Sequence, residues 1–135
     1  MILLDTSLWI EFFRPHTSLD LEKLVDWNSI VVCLPVWQEV LQGFRDERAF
    51  RIAHEAMSAF PMVESPLSQD IYEQAVTLYR TARRQGLTVR SSVDCLIAAC
   101  AIKNDLEVLH KDRDFGVLAR ISPLRQRNML AQAKH

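Results

Sequence analysis

The sequence lacks most of the devices that brace or anchor a chain from outside its own core. Its three cysteines, Cys33, Cys95 and Cys100, are an odd number with no CxxC pair. That excludes a disulfide framework and a thiolate zinc site, and the three read as buried thiols in a reducing compartment. The four histidines, His16, His54, His110 and His135, are scattered, with no pair at metal-ligand spacing. The opening Met1-Ile-Leu-Leu-Asp5 has no basic region and only a short apolar run, so it is not a signal peptide. No apolar run approaches the length of a membrane span. Repeats, linkers and low-complexity segments are absent. These absences together point to a soluble, cytoplasmic protein.

Charge of one sign is also missing. The formal net charge is −1, which argues against a general nucleic-acid-coating protein. Its distribution is more informative. Arg80, Arg83, Arg84 and Arg90 lie between Val76 and Val93 with no acid among them, and Arg120, Arg125, Arg127 and Lys134 follow Asp114, again without an acid. Two readings stand side by side: basic surfaces flanking an acidic site, or solvated helix faces and a loose tail.

What is present is enough to fold unaided. A chain of 135 residues, 49% of them hydrophobic, fits one domain over residues 1–135, with a C-terminal tail from about 121. A domain of this size buries roughly two-thirds of the surface its unfolded chain exposes. Met1 to Leu4 and Ile30 to Leu34 read as strands buried on both faces. Thr6 or Ser7 is placed to cap a first helix that Pro15 ends, and Leu19 to Trp27 is a second amphipathic stretch. Pro35 fits the first turn of a helix through Phe44, with another helix over about 47–59. Met62 and Val63 are a short third strand. Ser68 is placed to cap a long helix with the stripe Ile71, Ala75, Leu78 and Ala82, which Gly86 stops. A helix from Ser91 or Ser92 runs to Asn104. Leu106 to Leu109 is the last strand, and a short helix follows over about 116–119. Short apolar strands alternating with helices imply an α/β fold with a mainly parallel sheet.

In such sheets the site lies beyond the carboxyl ends of the strands, which selects Asp5 and the Lys111–Asp114 loop. Two more acids stand where a solvated charge is not expected. Glu39 and Asp94 each sit about 60° from the centre of an apolar helix stripe. Each acid alone has an ordinary explanation: a cap for Asp5, a helix-surface acid for Glu39, a helix-dipole partner for Asp94, turn residues for Asp112 and Asp114. As a set they are harder to dismiss. Converging carboxylates repel unless a cation neutralises them, and an all-oxygen set suits Mg²⁺ or Mn²⁺. Such a site can hydrolyse a phosphodiester without a nucleophilic side chain.

The order Leu3-Leu4-Asp5-Thr6-Ser7, Glu39-Val40-Leu41, Asp94-Cys-Leu-Ile-Ala-Ala99 and His-Lys-Asp112-Arg-Asp114-Phe115 resembles the PIN domain. Within that family it is most similar to VapC-type toxins of toxin–antitoxin pairs, over residues 1 to about 120. The resemblance implies a PIN-like three-layer sandwich with a four- or five-stranded parallel sheet and an Mg²⁺- or Mn²⁺-dependent endoribonuclease. It places the catalytic acids on Asp5, Glu39, Asp94 and Asp112 and the metal on Asp5, Asp94 and Asp112. Ser7, orienting Asp5 or a metal-bound water, and Asp114 are the candidate supporting residues. Arg80, Arg83, Arg84 and Arg90 are the candidates for contacting RNA or antitoxin. The implied partners are an RNA substrate, a cognate VapB-like antitoxin and a second copy in a homodimer. Trp37, Phe44 and Phe50 exceed what one helix face needs and are candidates for a dimer or antitoxin groove, or else are monomer core. His110 stands where the family more often has Thr, and its expected role is structural.

Rival readings fit less well. A haloacid-dehalogenase-like phosphatase needs a second Asp two residues after the first, where Ser7 stands. A phospho-receiver domain needs adjacent acids at the first strand and a mid-chain phosphoacceptor, and neither is apparent. A non-catalytic PIN-like binding module would be expected to have lost one of the four acids.

Overall fold

The computed structural model describes residues 1–15 and 20–130. The start of the expected Leu19–Trp27 stretch, Lys134, His16 and His135 lie outside them. The elements run β1 (Ile2–Leu4), α1 (Thr6–Phe13), α2 (Leu21–Leu24), a 3₁₀ turn (Trp27–Ser29), β2 (Ile30–Cys33), α3 (Leu34–Gln42), α4 (Glu47–Ser58), β3 (Met62–Val63), α5 (Gln69–Arg84), α6 (Ser92–Lys103), β4 (Glu107–His110), α7 (Arg113–Ala119) and β5 (Arg125–Asn128). All strand pairings are parallel, in the order β3-β2-β1-β4-β5. The α/β class and the parallel sheet are as the sequence implies.

The sheet explains its own strand chemistry. Leu3, Leu4 and all of β2 are buried, as central strands covered on both faces must be. With this strand order, the right-handedness of parallel crossovers puts α1–α4 over one face and α5–α7 over the other. In the packing, α1 lies on α3 and α3 on α4, α5 lies on α6 and α6 on α7, and α3 also meets α6. From β1 the chain winds outward through β2 and β3, then returns to the other side of β1 as β4. The crevice between the ends of β1 and β4 is therefore the topological switch point of the sheet.

Four local expectations differ from the structure. The first helix is capped by Asp5, whose side chain accepts from the Ser7 amide; Thr6 and Ser7 are its first two residues. Ser68 precedes α5 but turns its hydroxyl to Asp70, not to a backbone amide. The last helix starts earlier than expected, at Arg113, because Asp112 caps it by accepting from the Asp114 amide. Residues 121–130 are not a loose tail, because Arg125–Asn128 pairs with β4 as an edge strand. That strand carries no apolar alternation. It is held by its backbone ladder and by two ion pairs, Arg127 to Glu107 at 2.7 Å and Arg125 to Asp105 at 3.2 Å. These arginines are thus spoken for and do not form a free basic tail.

Candidate active site

The first acid is fixed by its place at the end of β1. Asp5 donates its backbone N–H to the Leu109 carbonyl at 2.9 Å, which ties the two central strands together at the switch point. Its Oδ2 accepts from the Ser7 amide at 3.3 Å and the Ser7 hydroxyl at 2.7 Å. The Ser7 hydroxyl oxygen accepts in turn from the Lys111 amide at 3.1 Å. One serine therefore links the first acid to the loop that carries the last two. Burial raises the Asp5 carboxyl above its ordinary range, the nearby Asp112 adds to that, and the hydrogen bonds from Ser7 and Thr6 partly offset it.

Asp94 enters from the first turn of α6. That helix is apolar almost all round, with Cys95, Ile97, Ala98, Ala99, Cys100 and Ala101 buried, so an acid at its start has no solvated side to turn to. Asp94 is 4% exposed, and its Oδ2 is buried without a hydrogen-bond partner. Burial, followed by the neighbouring Asp112, Asp5 and Asp114, pushes its carboxyl up to about 10. Asp114 is 1% exposed. Its Oδ2 accepts from the Arg90 and Ser91 amides, both at 3.0 Å, and its Oδ1 is buried without a partner. Carboxylate oxygens of Asp94, Asp112 and Asp114 lie within 4.8 Å of one another.

Glu39 stands somewhat apart. It is half-buried on α3, and its Oε1 accepts from the Thr6 hydroxyl at 2.7 Å. The two hydroxyls after Asp5 therefore serve different acids: Ser7 holds Asp5, and Thr6 holds Glu39. Glu39 also lines a groove that leads along Val93 and Leu96 to Tyr72.

The structure thus brings Asp94, Asp112 and Asp114 to within ligand distance of one another, with Asp114 in the group where Asp5 was expected; Asp5 is near enough to act electrostatically on Asp94 and Asp112, and Glu39 is tethered to Thr6. Two unpartnered, buried carboxylate oxygens and a proton held well above its usual range are the marks of a cluster short of a cation. The donors are all oxygens, so the residues present fit a hard divalent ion such as Mg²⁺ or Mn²⁺.

His110 is buried, with Nδ1 accepting from the Asp112 amide at 3.1 Å. Its Nε2 therefore carries the proton and donates to Gln126 Oε1 at 2.6 Å. The ring braces the acidic loop against β5. Phe115 is fully buried.

Arg80, Arg83, Arg84 and Arg90 are exposed. Arg80 and Arg90 border a groove between α5 and α6, and Arg83 lies 5.5 Å from the centre of the Tyr79 ring. Trp37, Phe44 and Phe50 are partly buried against the core, and Phe44 lines an apolar groove with Ile10, Phe13 and Val40.

The sequence reading missed Glu11. It is 5% exposed and receives Lys111 Nζ at 3.0 Å and Arg14 at 3.4 Å. The signal was its position one helical turn after Ser7, which puts both on the face of α1 that meets the Lys111 loop.

The sequence profile of the PIN domain matches residues 2–121. VapC ribonuclease Mb1587 of Mycobacterium bovis and ribonuclease VapC11 of Mycobacterium tuberculosis are each 38% identical to this chain over 129 residues, covering 92% of it and 96% of the relative. Among solved structures, VapBC2 from Rickettsia felis bound to a promoter DNA fragment shares the fold with a TM-score of 0.74 at 21% identity, over 95% of this chain and 98% of that one. A toxin–antitoxin complex from Klebsiella pneumoniae superposes with a TM-score of 0.65 at 25% identity, over 85% and 90%. With its acids gathered at the switch point of this sheet, the chain belongs to the PIN-domain family, among the VapC ribonucleases.

Proposed function

We propose that this protein is a divalent-metal-dependent endoribonuclease, the toxin of a toxin–antitoxin pair. The observation that carries the reading is the grouping of Asp94, Asp112 and Asp114 beside Asp5 at the β1/β4 switch point, with a buried oxygen of Asp94 and one of Asp114 left unpartnered. Asp5, Asp94 and Asp112 are assigned as the metal-holding set. Bound there, the ion supplies charge neutralisation and Lewis acidity toward a phosphodiester oxygen.

The chain's own residues supply the order. Ser7 fixes Asp5 and, through Lys111, the loop bearing Asp112. Asp114 fixes the backbone just before α6 and so the approach of Asp94. Thr6 holds one oxygen of Glu39, which leaves the other to orient a water or a substrate hydroxyl. The apolar walls around the cluster limit water, which strengthens each of these interactions.

The antitoxin is assigned to the groove between α1 and α3, where Ile10, Phe13, Val40 and Phe44 are apolar. Complexes named for a toxin and its antitoxin among the solved structures support such a partner. No helix of the described residues is long and apolar enough to cross a membrane, in keeping with a soluble RNA target.

The test is incubation of the purified protein with structured RNA in Mg²⁺, in Mn²⁺ and in chelator, beside Asp5→Ala and Asp94→Ala. Cleavage that requires metal and vanishes in both variants is expected. RNA retained but left intact under every metal condition would replace the enzyme with a binding module.

A further inference from the structure

The face of α3 that carries Glu39 also carries two side chains for which the proposed reaction has no use. Gln38 and Gln42 are exposed, and Gln38 Nε2 donates to Gln42 Oε1 at 3.3 Å. At 100° per residue Gln42 falls about 40° from Gln38 and about 60° from Glu39, so the three share one face. Together they form one side of the groove that starts at Glu39, and Val93, Leu96 and Tyr72 line it from α6 and α5. The cavity measures about 180 Å³, below the roughly 300–1,000 Å³ of a pocket for a drug-sized molecule. It suits a group the size of one planar ring system.

The chemistry of the lining defines that group. The bond between the glutamines leaves the Gln38 carbonyl oxygen as an acceptor and the Gln42 amide nitrogen as a donor. A donor beside an acceptor matches the edge of a nucleobase, which amides read at two points. The faces of an unstacked base are apolar and stack on aromatic rings. Tyr72 is 50% exposed, and Val93 and Leu96 add apolar surface beside it. Tyr72 and Leu96 also line the groove between α5 and α6 that Arg80 and Arg90 border. Both arginines are exposed, and neither forms an ion pair among the described residues. A strand with one base between the glutamines and Tyr72 therefore runs from Glu39 at one end toward unpaired positive charge at the other.

We propose that this groove is a base-reading subsite. One unpaired nucleotide next to the cleaved bond inserts its base here, with its edge on Gln38 and Gln42 and its face on Tyr72. The proposal rests on the ribonuclease reading for the bond that is cut, and it names the residues that choose where the cut falls. A base held in a duplex cannot enter the cavity, so the preferred target is a loop, a bulge or a single-stranded end.

Cleavage of a randomised single-stranded RNA library tests the choice of cut. The unaltered protein is expected to prefer one base by about tenfold at one position beside the cut, the discrimination of a two-point amide contact. Gln38→Leu and Gln42→Leu remove the polar groups but keep good helix formers of like size. Each is expected to bring that preference to within about threefold, with the metal-dependent rise in melting temperature retained as a check on folding. Tyr72→Ala is expected to slow cleavage about tenfold whatever the base, because stacking tolerates any sequence. A preference that survives both leucine variants overturns the proposal. A second arm needs no cleavage. Single-stranded oligoribonucleotides of each base are added to the isotope-labelled full chain in chelator and followed by NMR. The side-chain amide signals of Gln38 and Gln42 are expected to shift, and one base is expected to shift them more than the others. If the unaltered protein cuts no RNA, the ribonuclease reading falls while these shifts still support the subsite. Amide signals that no oligonucleotide moves overturn the subsite even where RNA is cut, and leave the groove to a protein partner.

Discussion

Replacing Asp94 with Asn should make the metal-free protein more stable at alkaline pH, although it removes a central acid. The folded state holds the Asp94 proton up to about pH 10, whereas the unfolded chain releases it near 3.8. A carboxyl with a raised folded value contributes stability that is fully present below the unfolded value and is lost as pH rises toward the folded one. Between those limits the folded state holds up to one more proton than the unfolded state, so stability falls by at most about 1.4 kcal/mol per pH unit. From pH 6 to pH 8 the ceiling is about 3 kcal/mol. For a domain of this length that corresponds to roughly 10 °C in melting temperature. Asp94→Asn has no proton to lose, so its melting temperature should stay nearly flat over the same range. Thermal melts of both proteins in chelator at pH 6, 7 and 8 make the comparison. If Asp94→Asn melts below the unaltered protein at pH 8, the carboxylate is a net stabiliser and the picture of a crowded, cation-deficient cluster is wrong.

The other expectations follow from the same geometry. Mg²⁺ or Mn²⁺ at about one hundred times its dissociation constant should stabilise the unaltered protein by about 2.7 kcal/mol, read as a rise in melting temperature that Asp94→Asn largely loses. Ser7→Ala removes the hydroxyl that bridges Asp5 and Lys111, and chemical denaturation should show a loss of about 1–3 kcal/mol. Thr6→Val should leave stability within about 1 kcal/mol while lowering RNA cleavage, since its hydroxyl serves Glu39 alone; unchanged cleavage would remove Glu39's tether from the mechanism. Asp114→Ala strips the acceptor from two amides and should cost more stability than Asp112→Ala, about 2 kcal/mol or more by urea melts.

Much of this site was legible because its acids break local patterns. Asp5 ends an apolar strand, and Asp94 opens a helix that is otherwise apolar. What could not be read was the division of labour among neighbours. Thr6 and Ser7 are adjacent in sequence and chemically alike, yet they serve acids on different elements. Which does which depends on where α3 lies, a tertiary fact. Asp114 reads as an ordinary turn residue until the loop before α6 is seen to fold its amides onto it. The strand β5 escaped because an edge strand can be built from charged residues, with hydrogen bonding to β4 in place of an apolar pattern. Glu11 escaped because a charge on an amphipathic helix is ordinarily solvated, and only the position of Lys111 shows otherwise.

The placement of β1 between β2 and β4 has a consequence during synthesis. Chain growth runs from the N-terminus, so Asp5 leaves the ribosome early, while the strand that lies beside it and the loop bearing Asp112 and Asp114 leave late. Until then β1 has no neighbour on that side and the cluster lacks half its carboxylates. The acidic cluster is therefore complete only once the last strands of the sheet have been made and have paired.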